Sequence, residues 1–314
     1  MSILFAVTGF DAFGWRSKLE ELLPSRTVVA LGEPFEPGSI RYALSWRHPA
    51  GALKNLPNLR AIFSLGAGVD HLFADPGLPN VPIVRVVDPD LRDRMSEWVV
   101  MHALMHLRQL RRYERQQRER IWKDDDDQPR AAEVSVGVLG LGVLGSDAAM
   151  KLRALGFDVA GWSASPKEVE GVVCFHGPDG LEALLARTDM LVVLLPLTDA
   201  TRGMLNAALF SRLKQGGRLG GPVLLNAGRG GLQVEADILS ALESGALKGA
   251  SLDVFEREPL PADSPLWRHP MVYVSPHNAA ISSADAVLGG IALQIEAMER
   301  GEPLKHVVDR ERRY

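Results

Sequence analysis

Three residues far apart in the chain could do acid–base chemistry on a small oxyacid if folding brought them together. They are Arg229 in "LLNAGRG", Glu258 in "LDVFEREPL" and His277 in "VSPHNAA". An arginine presents a planar charged fork that matches a carboxylate and can polarise an adjacent ketone. A histidine can hand a proton to a forming alkoxide and take it back in the reverse direction. A neighbouring glutamate orients the imidazole and favours its protonated form. Side chains cannot supply hydride, so the set fits reduction of a 2-keto acid only alongside a nicotinamide. Singly, each residue also reads as ordinary structure: a surface ion pair, a solvated turn, a loop cap. Each of the three, however, follows an apolar strand pattern, and ligands of open α/β sheets bind beyond the carboxyl ends of the strands.

A place for a dinucleotide lies upstream. "GVLGLGVLGSDAAMKLRALGFDVAGWS" holds Gly140, Gly142 and Gly145 in G-x-G-x-x-G spacing. Gly140 permits the tight turn after a strand, and Gly142 lets the backbone approach a pyrophosphate. Gly145 lets the following helix pack on the sheet with its N-terminus, at Val143 and Leu144, toward the phosphates. An apolar strand precedes the motif and an amphipathic helix follows it, which is the context the motif requires. About twenty residues on, where an acid usually holds the ribose diol, stands "GWSASPK" with Trp162, Ser163, Ala164, Ser165 and Lys167, and no acid before Glu168. Two hydroxyls and an ammonium suit a 2′-phosphate, so NADP is expected over NAD.

These residues need a scaffold of parallel strands. Apolar runs at 3–9, 42–46, 61–68 and 83–87 predict strands separated by helix-compatible stretches. A clearer alternation begins at Val134, with strands predicted at 134–140, 158–163, 190–196, 223–228, 250–255 and 271–276 and a helix over 234–245. This is the rhythm of a doubly wound nucleotide-binding domain. No Gly or Pro interrupts residues 95 to 121, so one long helix is expected there. Its Arg108, Arg111, Arg112, Arg115 and Arg118 read as a solvated face. "KDDDDQPR" reads as a charged linker rather than a metal site. A further Gly/Pro-poor helix is expected from Ser282 to Arg300.

Bulk properties set limits. The chain has 314 residues, enough for two domains, and a formal net charge of −4, which argues against nucleic acid or an acidic membrane as partner. The single Cys174, in the apolar "GVVCFHG", reads as a buried inert thiol in a reducing cytoplasm. "MSILFAVTG" lacks a positive n-region and runs into Asp11, so a strand is expected, not a signal peptide, and the apolar run at 190–197 is too short to cross a bilayer. His102 and His106 are four apart but lack the Glu of a zinc helix, so packing is expected and no metal is assigned. His48, His71, His176, His269 and His306 belong to no pattern of partners.

With "SLGAGVD", "GVLGLGVLG", "LLPLTDATRGMLN", "NAGRG", "LDVFEREPLPADSPLW", "SPHNAA" and the terminal "VVDRERRY", the sequence resembles the D-2-hydroxyacid dehydrogenase family over residues 64 to 314. "PLPADSPLW" and the tail make it similar to the A-type glyoxylate/hydroxypyruvate reductases. The resemblance implies catalytic roles for Arg229, Glu258 and His277. It also implies a carboxylate held by backbone N–H groups of Gly66, Ala67 and Gly68, with Trp46 lining the substrate side. Leu195, Pro196, Thr201, Ala227 and Asp253 would line the cofactor, Asp253 at the nicotinamide amide. Two Rossmann-like or flavodoxin-like α/β domains are implied, with the active site in the cleft between them. Residues 1–93 plus 284–314 would bind substrate and residues 94–283 the dinucleotide, in a homodimer. Relatives of this type carry an Arg where this chain has Ala164, so NADP is expected to be preferred with NAD still usable. Two other readings compete: a dehydrogenase for another D-2-hydroxy acid, and a nucleotide-sensing binding protein on the same fold, which would not need all three catalytic residues.

Overall fold

The computed structural model describes residues 1–9 and 13–314; Asp11 lies outside the described residues. The chain divides into two compact units, Met1–Leu91 with Ser282–Tyr314, and Arg92–Ile281. The first unit opens with β1 (Ser2–Val7), α1 (Phe13–Leu22), β2 (Thr27–Ala30), β3 (Ile40–Trp46), β4 (Ala61–Ser64), a single turn α2 (Asp70–Phe73) and β5 (Ile83–Val84). Then α3 (Pro89–Leu107) carries the chain into the second unit. That unit continues with α4 (Leu110–Glu119), β6 (Ser135–Leu139), α5 (Val143–Ala154), β7 (Asp158–Ser163), β8 (Val173–His176), α6 (Gly177–Arg187), β9 (Met190–Val193), α7 (Ala207–Phe210), β10 (Val223–Asn226), α8 (Glu235–Ser244), β11 (Gly249–Leu252) and β12 (Val272–Val274). Finally α9 (Ala284–Glu299) returns to the first unit. No helix among the described residues is long and apolar enough to cross a membrane.

In the first unit the described strands form one parallel sheet, ordered β2-β1-β3-β4-β5. This is the flavodoxin-like order of a doubly wound sheet. Ile3, Leu4, Ala43, Leu44, Ile62 and Phe63 are all buried, on both faces, which is why these strands read as unbroken apolar runs. The C-terminal segment is tied in by Lys18–Asp285 at 2.9 Å, by an Arg26–Glu299 ion pair, and by Val308 N–H on the Ile83 carbonyl at 2.8 Å. The four-residue β2 escaped the sequence reading because "TVVA", with Thr27 exposed, is too short to show a period.

The second unit's sheet is also parallel, in the order β12-β11-β10-β9-β6-β7-β8. Its direction of winding reverses between β6 and β9, the switch point at which such folds bind ligands. Alternate residues serve opposite faces. Val138, Val192 and Leu225 pack with Trp98, Val99, Ala148 and Leu152, whereas Leu139, Leu191 and Leu224 pack with Leu184, Leu185 and Ile238. Full burial of each such aliphatic side chain is worth about 1.5–3 kcal/mol.

Three expectations need correction in this unit. The long helix is two helices, broken at Gln109, whose φ of 54° is left-handed. Gln109 Nε2 donates to Asp125 at 2.6 Å, and the break turns Arg111 across the Tyr273 ring at 3.9 Å, where it donates to the Val272 carbonyl at 2.6 Å. Arg111 is thus a packing residue and Arg112 is paired with Asp125, while Arg108, Arg115 and Arg118 are exposed as expected. Next, Val173–His176 is a strand at the sheet edge, and its four residues are too few to show a strand period. Cys174 lies on it and is half-buried rather than buried. His102 and His106 do pack inward: His102 stacks on Trp98 at 4.2 Å and His106 Nε2 meets Ser251 Oγ at 2.9 Å. Burial pushes His102 down to about 4 and His106 down to about 3.

A buried polar chain fixes the loop after β3. Ser45 Oγ lies 2.7 Å from His48 Nδ1, and His48 Nε2 lies 3.1 Å from Asp75, which also accepts the N–H groups of Gly51 at 3.0 Å and Gly77 at 2.8 Å. Burial alone would raise the Asp75 carboxyl, but the Gly77 and Gly51 N–H groups and the His48 ring outweigh it and hold the group below the ordinary carboxylate range. A depressed folded value means that the stabilisation is complete above the unfolded value of about 3.9 and is lost as pH falls through the folded one. Asp75→Asn should destabilise the protein by about 1–3 kcal/mol at neutral pH, and this acid-side loss should be smaller in the variant. Denaturant titrations of both proteins between acid and neutral pH check the two expectations together.

Candidate active site

The glycine turn sits at the switch point. Gly140 ends β6 with φ of +104°, and a Cβ there would lie 2.8 Å from the Leu194 carbonyl oxygen at the end of β9. A Cβ on Gly145 would lie 1.8 Å from the Gly140 carbonyl oxygen, so the start of α5 presses directly on the turn. Gly142, the residue before α5, differs: its missing Cβ faces open space. Together with the first N–H groups of a twelve-residue helix, at Val143 and Leu144, which have no acceptor among the described residues, this is room and polarity for a pyrophosphate. Leu195 and Ala227 are buried beside it at the ends of β9 and β10, and Thr201 donates to the Pro196 carbonyl at 2.8 Å, closing the loop after β9.

At the end of β7 the predicted phosphate contacts separate. Ser163 is buried and its hydroxyl donates to the Ser165 carbonyl at 2.7 Å, so it shapes the turn rather than offering a donor outward. Ser165 is half-buried and Lys167 exposed. Trp162 Nε1 donates to the Gly177 carbonyl at 2.8 Å and fastens the end of β7 to the corner after β8.

Arg229, Glu258 and His277 all lie just past the carboxyl ends of the adjoining strands β10, β11 and β12. His277 Nδ1 and Glu258 Oε2 are 2.8 Å apart, and the other Glu258 oxygen accepts the Phe255 N–H at 3.2 Å. Arg229 Nη1 donates to the Gly228 carbonyl at 2.8 Å. The next residue, Gly230, is pressed so closely on the Phe255 carbonyl that a Cβ would lie 1.8 Å from its oxygen. The Arg229 loop is thereby held against the Glu258 loop. His277 and Glu258 side chains are 33% and 21% exposed, with the Nδ1 side of the imidazole turned to the carboxylate.

Sequence reading passed over what holds His277. Asp253, only 2% exposed, accepts Ser275 Oγ at 2.6 Å and the N–H groups of Asn278 and Ala279 at 3.0 Å each, while its own carbonyl accepts the His277 N–H at 2.8 Å. Trp98 Nε1 on α3 donates to Ser275 Oγ at 3.0 Å. Asp253 thus has a structural task in addition to its expected place near a cofactor. The signal available was the pairing of a buried-strand Asp with a "SPHN" loop rich in donors.

In the first unit, Trp46 lies on the glycine loop after β4: a Cβ on Gly66 would lie 2.4 Å from its ring. Gly66 N–H donates to Ser64 Oγ at 3.2 Å. Of the three expected N–H donors, those of Ala67 and Gly68 are the two left without an acceptor among the described residues. No group of three or more metal-ligating side chains occurs among the described residues.

Comparisons with known proteins find relatives along the whole chain. The family profile of the D-isomer specific 2-hydroxyacid dehydrogenases, NAD binding domain, matches residues 100–279. Glyoxylate/hydroxypyruvate reductase A of Serratia proteamaculans is 40% identical over an aligned length of 318, covering 98% of each chain. Among solved structures, NADPH-dependent glyoxylate/hydroxypyruvate reductase from Sinorhizobium meliloti, in complex with NADP and sulfate, is 49% identical with a TM-score of 0.93, over 100% of this chain and 99% of that one. A D-isomer specific 2-hydroxyacid dehydrogenase from Xanthobacter autotrophicus, in complex with NADPH and MES, is 41% identical with a TM-score of 0.92 and the same coverage.

The two glycines of the turn should respond differently to the same change. Gly145→Ala forces a methyl onto a backbone oxygen and should destabilise the protein by about 1–3 kcal/mol. Gly142→Ala, which points into open space, should cost less than about 1 kcal/mol. Thermal unfolding followed by circular dichroism checks both.

Proposed function

The chain belongs to the D-isomer specific 2-hydroxyacid dehydrogenases, and on that premise we propose that it reduces small 2-keto acids, glyoxylate and hydroxypyruvate among them, to the 2-hydroxy acids with NADPH. The observation that carries this reading is the 2.8 Å pair of His277 and Glu258 at strand ends of the unit that also holds the glycine turn. When bound, the nicotinamide supplies the hydride that the substrate's carbonyl carbon receives. The open space at Gly142 and the start of α5 would hold its pyrophosphate, with Leu195, Pro196, Thr201, Ala227 and Asp253 around it and Ser165 and Lys167 at the ribose phosphate. The lack of an acid before Glu168 and the NADP and NADPH bound by two relatives support that cofactor.

The chain's own residues handle the proton and the carboxylate. Glu258 on Nδ1 fixes the imidazole's orientation and tautomer, so the proton is given to the carbonyl oxygen from Nε2. As the carbonyl carbon gains hydride, its oxygen gains this proton and the alcohol forms, with no charge left on oxygen. Arg229 pairs with the substrate carboxylate and draws electron density from the adjacent carbonyl. In the first unit, the N–H groups of Ala67 and Gly68, beside Trp46, offer backbone donors for a carboxylate. A homodimer in a reducing cytoplasm completes the proposal. Its support is the exposure of Met101, Leu110, Ile121 and Trp122 on and just past α3 and α4, and a single unpaired cysteine.

Steady-state assays of both acids with NADPH and NADH test the reading. His277→Ala should lower kcat by roughly 10²–10⁴-fold, and Arg229→Lys should chiefly raise KM; unchanged turnover in His277→Ala would sink the assignment. Gel filtration should give about twice the 34.2 kDa chain mass, and a species at the mass of one chain would refute the dimer.

A further inference from the structure

The 2′-phosphate reading leaves a gap. Ala164 stands where an arginine is expected from the resemblance, and Ser163 is turned inward onto the Ser165 carbonyl. Ser165 and Lys167 alone would then recognise a dianion. The sheet brings a further donor to this point. β8 pairs with β7 in parallel register, matching Gly161 with Cys174, Trp162 with Phe175 and Ser163 with His176. Residues matched across neighbouring strands project on the same face, with their Cβ atoms roughly 5 Å apart. Trp162 and Phe175 pack into the face that holds Leu184 and Leu185, and Cys174 into the opposite one, where Leu141 fills the space beside Gly161. Alternation therefore sends His176 to the face of Ser163 and of the glycine turn, and its side chain is exposed. The Trp162 bond to the Gly177 carbonyl, 2.8 Å, ties the two strand ends together, so His176 and the 163–167 turn hold a fixed spacing.

We propose that His176 is a specificity-determining residue for the cofactor, donating an imidazole N–H to the ribose 2′-phosphate at the position left open by Ala164. This rests on the NADP reading above and sharpens it. The phosphate would be met from two strand ends, by Ser165 and Lys167 on the turn after β7 and by His176 at the end of β8. A histidine suits the place because its ring carries an N–H donor, and a donor to an ionised acceptor makes a stronger hydrogen bond than one to a neutral acceptor. The same substitution of Ala for Arg that weakens the turn thus clears the approach from the neighbouring strand.

Binding measured without turnover decides the matter. Calorimetric titration of the full chain with adenosine 2′,5′-bisphosphate and with 5′-AMP gives a discrimination ratio that depends on the 2′-phosphate alone. His176→Ala should reduce that ratio by about tenfold, with an unchanged thermal midpoint showing that the fold is intact. If the wild type discriminates and His176→Ala does so equally well, or weakens both probes alike, the role of His176 is overturned while the NADP reading stands. If the wild type does not discriminate, both fall.

Discussion

Asp253 is the group on which the candidate site depends. Its carboxylate sits at the end of β11, 2% exposed, and accepts a hydroxyl and two backbone N–H groups from the loop after β12. A buried carboxylate is tolerable only when its lone pairs are filled, and the loop's donors fill them. That requirement fixes the loop, because displacing any donor leaves a buried charge short of a partner. His277 pays for this with a left-handed backbone, φ 52°, which a β-carbon disfavours and which persists only when surrounding contacts over-determine it. The constraint reaches further through Ser275 to Trp98, so that α3 is joined by a polar chain to the loop that carries the imidazole.

Two carboxylates at the end of the same strand thus have opposite environments and opposite work. Asp253 is sealed and saturated by backbone donors, which suits a fixed point. Glu258, five residues on and half-buried, has one oxygen on the Phe255 N–H and the other on His277. One oxygen locates it and the other faces the ring. Asp253 is held by hydroxyl and backbone donors deep in the fold, whereas Glu258 meets a side-chain ring nearer the surface. Burial separates the two roles more than residue type does.

How much of this could be read from the sequence follows from what each signal depends on. Fully buried parallel strands must be apolar on both faces, so β1, β3, β4, β6, β9 and β10 announce themselves. The glycine spacing is legible because backbone proximity excludes every other residue: Gly140 and Gly145 would each place a Cβ within 3 Å of a carbonyl oxygen. Arg229, Glu258 and His277 stood out because strand ends are where side chains of this chemistry gather. By contrast, β2 and β8 are four residues each, too short to show an alternation along the chain. The break at Gln109 leaves no glycine or proline behind, since it is stabilised by partners sixteen residues on and across the sheet. Ser163 was counted as a ligand donor because a hydroxyl's direction is not written in its type; only the turn geometry shows it bonded to Ser165.

The same distinction explains why the site is made of close backbone approaches. Gly145 against Gly140, Gly140 against Leu194 and Gly230 against Phe255 are all contacts between main-chain atoms, and each joins one strand end to the next element. A main-chain contact has no rotamers, so positions set this way do not depend on side-chain order. Arg229 follows Gly228 and precedes Gly230, both of them crowded: a Cβ on Gly228 would lie 2.9 Å from the Leu195 carbonyl oxygen. Its Cα is therefore placed by the sheet, and its guanidinium turns back onto the Gly228 carbonyl at 2.8 Å. The frame thus fixes where the Arg229 loop meets the Glu258 loop, and the side chains that do chemistry start from positions set by the main chain.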